Sequence, residues 1–182
     1  MALVLDGNGT MTVGNGDITG LVAGALPSTV IGAGAVLQVK QGIFYAAGIS
    51  STSSTFIDTG LSATITPTSA TSKILIFVSA TAGIANHLDS YYFTIFRDST
   101  NLNYGYSGTP AMARQYQQSA SNLASDGFQI NLNYLDSPAT TSSITYSVRI
   151  KNDGNGSTMY FGRITSSADS HGGIINLMEI AA

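Results

Sequence analysis

Cysteine and tryptophan are absent, and only four prolines punctuate the 182 residues. Without cysteine there is no disulfide framework, no thiolate nucleophile and no cysteine-based zinc site. The fold must rest on packing and hydrogen bonds. Charge is almost as scarce. Asp, Glu, Lys and Arg make up 9% of the chain, against about 25% in an average soluble protein. The 7 Lys and Arg residues are scattered singly and the formal net charge is −3. Nucleic acid is therefore not an expected partner, because neutralising phosphates takes a basic stripe. No apolar run approaches the roughly 18–20 residues of a membrane-spanning helix. The opening MALVL is too short for a secretory core and lacks its basic flank. The expectation is a chain made in a cytoplasm, without membrane insertion.

What is present is a β-rich balance. Hydrophobic residues reach 43%, enough for a core, and 20 glycines supply turns. Ser, Thr, Asn and Gln carry the polarity that charge does not. Thr, Val, Ile and Tyr suit a pleated surface, while Gly and Asn suit tight turns.

Composition shifts near residue 38. Before it there is no aromatic residue and no Lys or Arg; the first are Lys40 and Phe44. Residues 1–38 hold two short strand-like pieces, Leu3 to Leu5 and Met11 to Val13, each followed by a turn signal (DGNG, then GNGD). A Gly/Ala-rich passage comes next, in which Gly24 and Pro27 weaken any helix ending at Leu26. Such a segment cannot bury enough surface to hold itself together, so it is expected to be an extended arm that orders against something else.

From Val36 onward period-two alternation takes over. Leu61, Ala63 and Ile65 share one face; so do Phe128, Ile130, Leu132 and Tyr134; so do Ile144, Tyr146, Val148 and Ile150. KILIFVSA (73–80) is apolar on both faces, which predicts a central strand. ITYSVRI and TMYFGRI flank KNDGNGST, which predicts a hairpin. Eight to ten short strands separated by turns, with no amphipathic helix, predict an all-β antiparallel β-sandwich of jelly-roll type over 39–182, preceded by the arm over 1–38.

No enzyme is expected. His87 and His171 are the only histidines, both in loop-like contexts, and no strained nucleophile elbow is present. Asp6, Asn8 and Thr10 imitate the start of a calcium loop, but with Asp17 the only other acidic residue across the twelve, two carboxylates make a poor cage for a divalent ion. The expectation is no catalytic set, no cofactor and no metal. Residues 98–127 are the least regular stretch and are expected to form a long exposed loop. There Tyr104 and Tyr106 flank Gly105 in Asn- and Gly-rich sequence, with Arg114 and Tyr116 nearby. Exposed rings beside amides suit a sugar surface, because a ring covers the apolar face of a pyranose. Ordinary loop packing or a subunit contact is the competing reading for all four.

Several stretches, taken in order, resemble fibre-type virion proteins of tailed bacteriophages, marine and freshwater phages included. They are LVLDGNGTMTVGNGDITGL, GAVLQV, STSSTFIDTGLSATITPTSATSKILIFVS, LDSPATTSSITYSVRI and IINLMEIAA. The resemblance weakens between about 98 and 127. It implies a non-enzymatic structural protein of the virion: an N-terminal segment that attaches to other virion proteins, a β-sandwich head, and assembly as a homotrimer. Two roles follow from it. One is a tail fibre or appendage contacting a host surface glycan; the other is a capsid cement or decoration protein. A carbohydrate-binding module of a cell is the competing class. Under the virion readings, deleting residues 1–34 is expected to leave a folded sandwich that no longer joins its particle. Thermal unfolding and particle incorporation, measured side by side, check this.

Overall fold

The structure is a computed structural model, and it describes residues 4–5, 11–12, 32–45, 48–84, 90–103, 111–116, 126–154, 156–164 and 171–182. The chain divides into two compact units, Met1–Gly32 and Ala33–Ala182. In the first, β1 (Val4–Leu5) and β2 (Met11–Thr12) pair antiparallel, Val4 with Thr12 and Leu5 with Met11. The passage up to Leu26 that might have been helical lies outside the described residues.

The second unit is all strand among its described residues. Its elements are β3 (Val36–Phe44), β4 (Ile49–Ser51), β5 (Ile57–Ile65), β6 (Lys73–Ile84), β7 (Ser90–Arg97), β8 (Thr100–Asn101), β9 (Ala113–Tyr116), β10 (Asp126–Asp136), β11 (Ile144–Asn152), β12 (Met159–Phe161) and β13 (Gly173–Ile180). One sheet runs β3–β13–β6–β10, with β12 and β4 continuing beside the Ala82–Ile84 end of β6. The other runs β5–β11–β7, and β7 carries β9 on its first half and β8 on its last two residues. Every pairing is antiparallel. The first long strand pairs with the last, β5 with β11 and β6 with β10, so the chain is a long folded ribbon rolled into two layers. That is the jelly roll.

Strand identity follows from alternation. Leu61, Ala63 and Ile65 of β5, Ile144, Tyr146, Val148 and Ile150 of β11, and Ile130 and Leu132 of β10 all face the shared core, as their spacing predicts. Val36 and Gln38, which composition places with the arm, pair with Ile180 and Glu179 at the end of β13. Gly34 N also donates to Ala181 O at 2.8 Å. A truncation ending at Gly32 spares that bond.

Two expectations are corrected. ITYSVRI and TMYFGRI do not form a hairpin: β11 pairs with β5 and β7 in one sheet, β12 with β4 and β6 in the other. The turn chemistry itself is as expected, since Gly154 and Gly156 take φ of 107° and 79°. Asn152 turns the chain out of its sheet. Its Nδ2 donates to Thr52 O at 3.1 Å and Ser157 O at 2.9 Å, and its Oδ1 accepts from Gly154 N at 2.9 Å. A turn signal fixes local dihedrals, not the partner of the strand that follows. Likewise 98–127 is not one loop, because β8 and β9 within it add to the edge of β7 and Leu102 and Ala111 are buried.

The sheets are tied at one end by two buried carboxylates in one register row, Glu179–Ile74–Asp136. Arg97 ends the inward row of β7 and crosses to Asp136 of the other sheet, its Nη1 lying 2.9 and 2.8 Å from the two carboxylate oxygens. Tyr146 donates its hydroxyl to the same carboxylate at 2.7 Å. Burial and that carboxylate raise the tyrosine's pKa far above its usual value. Glu179 accepts from Gln38 Nε2 at 2.6 Å and from Thr68 N and Oγ1, each at 2.7 Å. It thereby holds the β5–β6 crossover against the last strand. Burial alone would raise its pKa, but the donors of Gln38 and Thr68 outweigh burial and hold it below the ordinary glutamate value. Where β3 passes β5 the backbones nearly touch, and a Cβ on Gly42 would collide with Ser62 O.

Replacing Asp136 by Ala strands a guanidinium and a phenol. We expect a loss of about 2–4 kcal/mol, below the roughly 3–5 of a fully buried pair, because the Arg97 side chain is 25% exposed; urea unfolding reads it. Glu179 gives a pH signature. A depressed folded-state pKa contributes stability above the unfolded value of about 4.3, and that contribution fades as pH falls through the folded value. The melting-temperature gap between the wild type and Glu179→Gln should therefore be widest near neutrality and narrow below about pH 4.

Candidate functional site

Of the four residues singled out for a sugar contact, Tyr104 and Tyr106 lie outside the described residues. Arg114 is exposed on β9. Its Nε and Nη2 donate to Ser90 Oγ at 3.1 and 2.5 Å, and its guanidinium stands 5.8 Å from the Tyr92 ring centroid. Tyr116 ends the same strand, in register with Ser90. The structure thus brings Arg114 and Tyr116 to an edge strand rather than to a loop tip. Between β9 and β10, where the layers part, lies a depression of about 130 Å³. Phe93 and Phe128 form part of its wall with Arg114, Gln129 and Asn131. The two rings pack edge to face at 5.7 Å.

A larger feature is the outer face of the β3–β13–β6–β10 sheet. Register lines its outward residues into rows that cross all four strands. One row is Val39–Met178–Leu75–Leu135, the next Gln41–Asn176–Phe77–Asn133, the third Ile43–Ile174–Ser79–Asn131. Val39, Ile43, Phe77 and Leu135 are 54%, 44%, 42% and 50% exposed, and Ile174 is also exposed. In the middle row Gln41 Nε2 donates to Asn176 Oδ1 at 2.8 Å. None of these positions is charged. Lys73 stands at the margin beside Ile180, and Lys40 occupies a register row of the opposite face, beside Leu177.

Sequence reasoning missed this face, although the signal was there. KILIFVSA is apolar on both sides, the pattern expected of a central strand, and β6 is central, between β13 and β10. Ile74, Ile76 and Val78 are buried, whereas Phe77 is open to solvent. The second apolar face is real, and no described residue covers it. Burying apolar side chains of this size is worth about 1.5–3 kcal/mol each, and contiguous exposed patches mark contact surfaces.

Among the described residues no group of three or more His, Cys, Asp or Glu is placed to hold a metal. His171 lies in an exposed turn, its N donating to Gly162 O at 2.8 Å, and His87 lies outside the described residues. No helix among the described residues is long and apolar enough to cross a membrane.

No family model matches the chain, and no curated protein matches it. Among solved structures it is similar to Eiger TNF from S. frugiperda, with a TM-score of 0.42 and 10% identity, over 79% of this chain and 93% of that one. Function has to be argued from this chain's own surfaces.

Proposed function

We propose that this chain is a non-enzymatic structural protein of a bacteriophage virion, a tail fibre or appendage. It associates as a homotrimer by burying the outer face of the β3–β13–β6–β10 sheet. The segment that precedes β3 joins it to other virion proteins, and the sandwich is displayed towards a host surface glycan. The observation that carries the association is the absence of charge from three apolar and amide rows. Around a threefold axis the residues nearest the axis meet their own copies, so a charge there would face like charges. An uncharged face avoids that repulsion, and its Gln and Asn side chains offer each copy both donors and acceptors. The fibre role rests on the order of sequence segments that resemble phage fibre proteins. Low overall charge and abundant Ser and Thr suit subunits that pack closely on a particle.

The test is solution mass by light scattering, on the wild type and on Phe77→Lys and Leu135→Lys. The wild type should weigh as three chains at micromolar concentration. Each lysine places a charge in the buried rows and should weaken association at least about a hundredfold, the scale of an unpaired charge in an interface. Melting of the dissociated subunit should stay close to that of a sandwich with its core intact. A wild type that is monomeric, with both variants unchanged, would show that the face does not join copies. A monomer that becomes protected only on the particle would assign the face to a capsid subunit, and the role to cement.

A further inference from the structure

The outer face of the second sheet differs in kind. Tyr91, Phe93 and Ile95 of β7 face the core with Val148 and Ile150 of β11, so Tyr92, Phe96, Arg149 and Lys151 face outward. Register sets Lys151 beside Tyr92 and Tyr92 beside Arg114, one row across three strands. Every one of these cations lies over a ring. Arg149 is 4.1 Å from the Phe96 centroid; Lys151 is 5.1 Å from Tyr92 and 5.4 Å from Phe56; Arg114 is 5.8 Å from Tyr92. Phe56 and Phe96 brace each other edge to face at 6.0 Å. Such contacts hold long, flexible cations in place before any ligand arrives, which lowers the entropy lost on binding. Strand geometry spaces Lys151 and Arg114 about 10 Å apart across two strand intervals, and Arg149 and Lys151 about 7 Å apart along β11.

Among the described residues, the carboxylates of Asp58 and Asp98 beside Arg149 are engaged elsewhere. Asp58 is the register partner of Arg149, but its Oδ1 accepts from Gly60 N at 2.8 Å. Asp98 Oδ1 accepts from Thr145 N at 3.0 Å, and only its backbone carbonyl reaches Arg149 Nη2, at 3.5 Å. Neither Arg149 nor Lys151 forms an ion pair with a described residue. Three of the chain's 7 Lys and Arg thus stand together on one face, although the net charge is −3.

We propose that this face binds an anionic saccharide whose sugar rings bear carboxylates, with Arg149, Lys151 and Arg114 receiving them. The inference rests on the host-facing reading for where such a polymer is met, and on this face alone for its chemistry. A nucleic acid fits less well. Stacking a base needs an open ring face, whereas Tyr92 is only 8% exposed beneath its cations. Three positive groups also neutralise few phosphates. A uronic acid polymer needs fixed cations at intervals and no stacked base. The apolar face lies on the opposite side of the sandwich, so association leaves this one open.

Calorimetric titration of the full chain with an oligomer of uronic acids tests the proposal, with a neutral dextran oligomer and a single-stranded oligonucleotide as controls. The uronate should bind, the dextran should not, and binding should weaken steadily from about 50 to 500 mM salt. Arg149→Gln and Lys151→Gln should each lower affinity on the order of tenfold, the scale of one charge-assisted hydrogen bond, while Lys151→Arg should keep it. Melting curves identify any variant that fails to fold; the salt series and Lys151→Arg then decide. No binding of the uronate, Gln variants that fold and bind like the wild type, or tighter binding of the oligonucleotide would each overturn the assignment. Mass is read separately. A trimer that ignores the uronate overturns this site and leaves the virion reading, and a monomer that binds it does the reverse.

Discussion

In a two-layer β-sandwich each strand has one face committed to the core, and the pleat turns every second residue away from it. The inward set is constrained to fill the space between the sheets, here with residues such as Ile76, Leu61 and Tyr146. The outward set is released from that duty. In this chain the released positions diverge: one sheet presents uncharged apolar rows, the other presents cations resting on rings. Since a single layer of side chains separates the sheets, a small domain is given two unlike surfaces at no cost to its core. The buried carboxylates sit where the constraint relaxes, at the end of the layers, and there they bind crossover and sheet together.

How much of this was legible in the sequence depends on the distance over which the information acts. Alternation is local, so the inward faces of β5, β10 and β11 could be read directly from Leu61, Phe128 and Ile144 onward, and with them the all-β class. Turn propensity is local too, and the glycines after Asn152 adopt the positive φ that Asp-Gly and Asn-Gly imply. Partner choice is not local. Nothing in ITYSVRIKN distinguishes a strand that turns back on its successor from one whose successor crosses to the other layer. That decision is made by Asn152 binding Thr52 and Ser157, contacts visible only once the chain is folded.

The candidate surfaces were legible to different degrees for the same reason. Arg114 was picked out from composition, and the structure moves it from an imagined loop to a strand edge beside Tyr92. Arg149 and Lys151 alternate with Val148 and Ile150, a pattern that ordinarily means a solvated outer face. Only the register that brings Tyr92, Phe56 and Phe96 beneath them gives the pair a further meaning. The apolar outer face was visible in KILIFVSA, which marked a central strand, but periodicity reports only that a face is apolar and is silent about whose surface meets it.

The place of β13 between β3 and β6 also sets an order of events. β3 is made well before β13, its partner within its own sheet and the last of the described strands. Until then residues 36–44 present an apolar strand with unmade backbone hydrogen bonds. Pairings that close over such a long stretch of chain are slow, and exposed strands are vulnerable while they wait. Completion of this sheet thus waits for β13, and chains of this kind should be most dependent on chaperones in the interval before β13 slots into place.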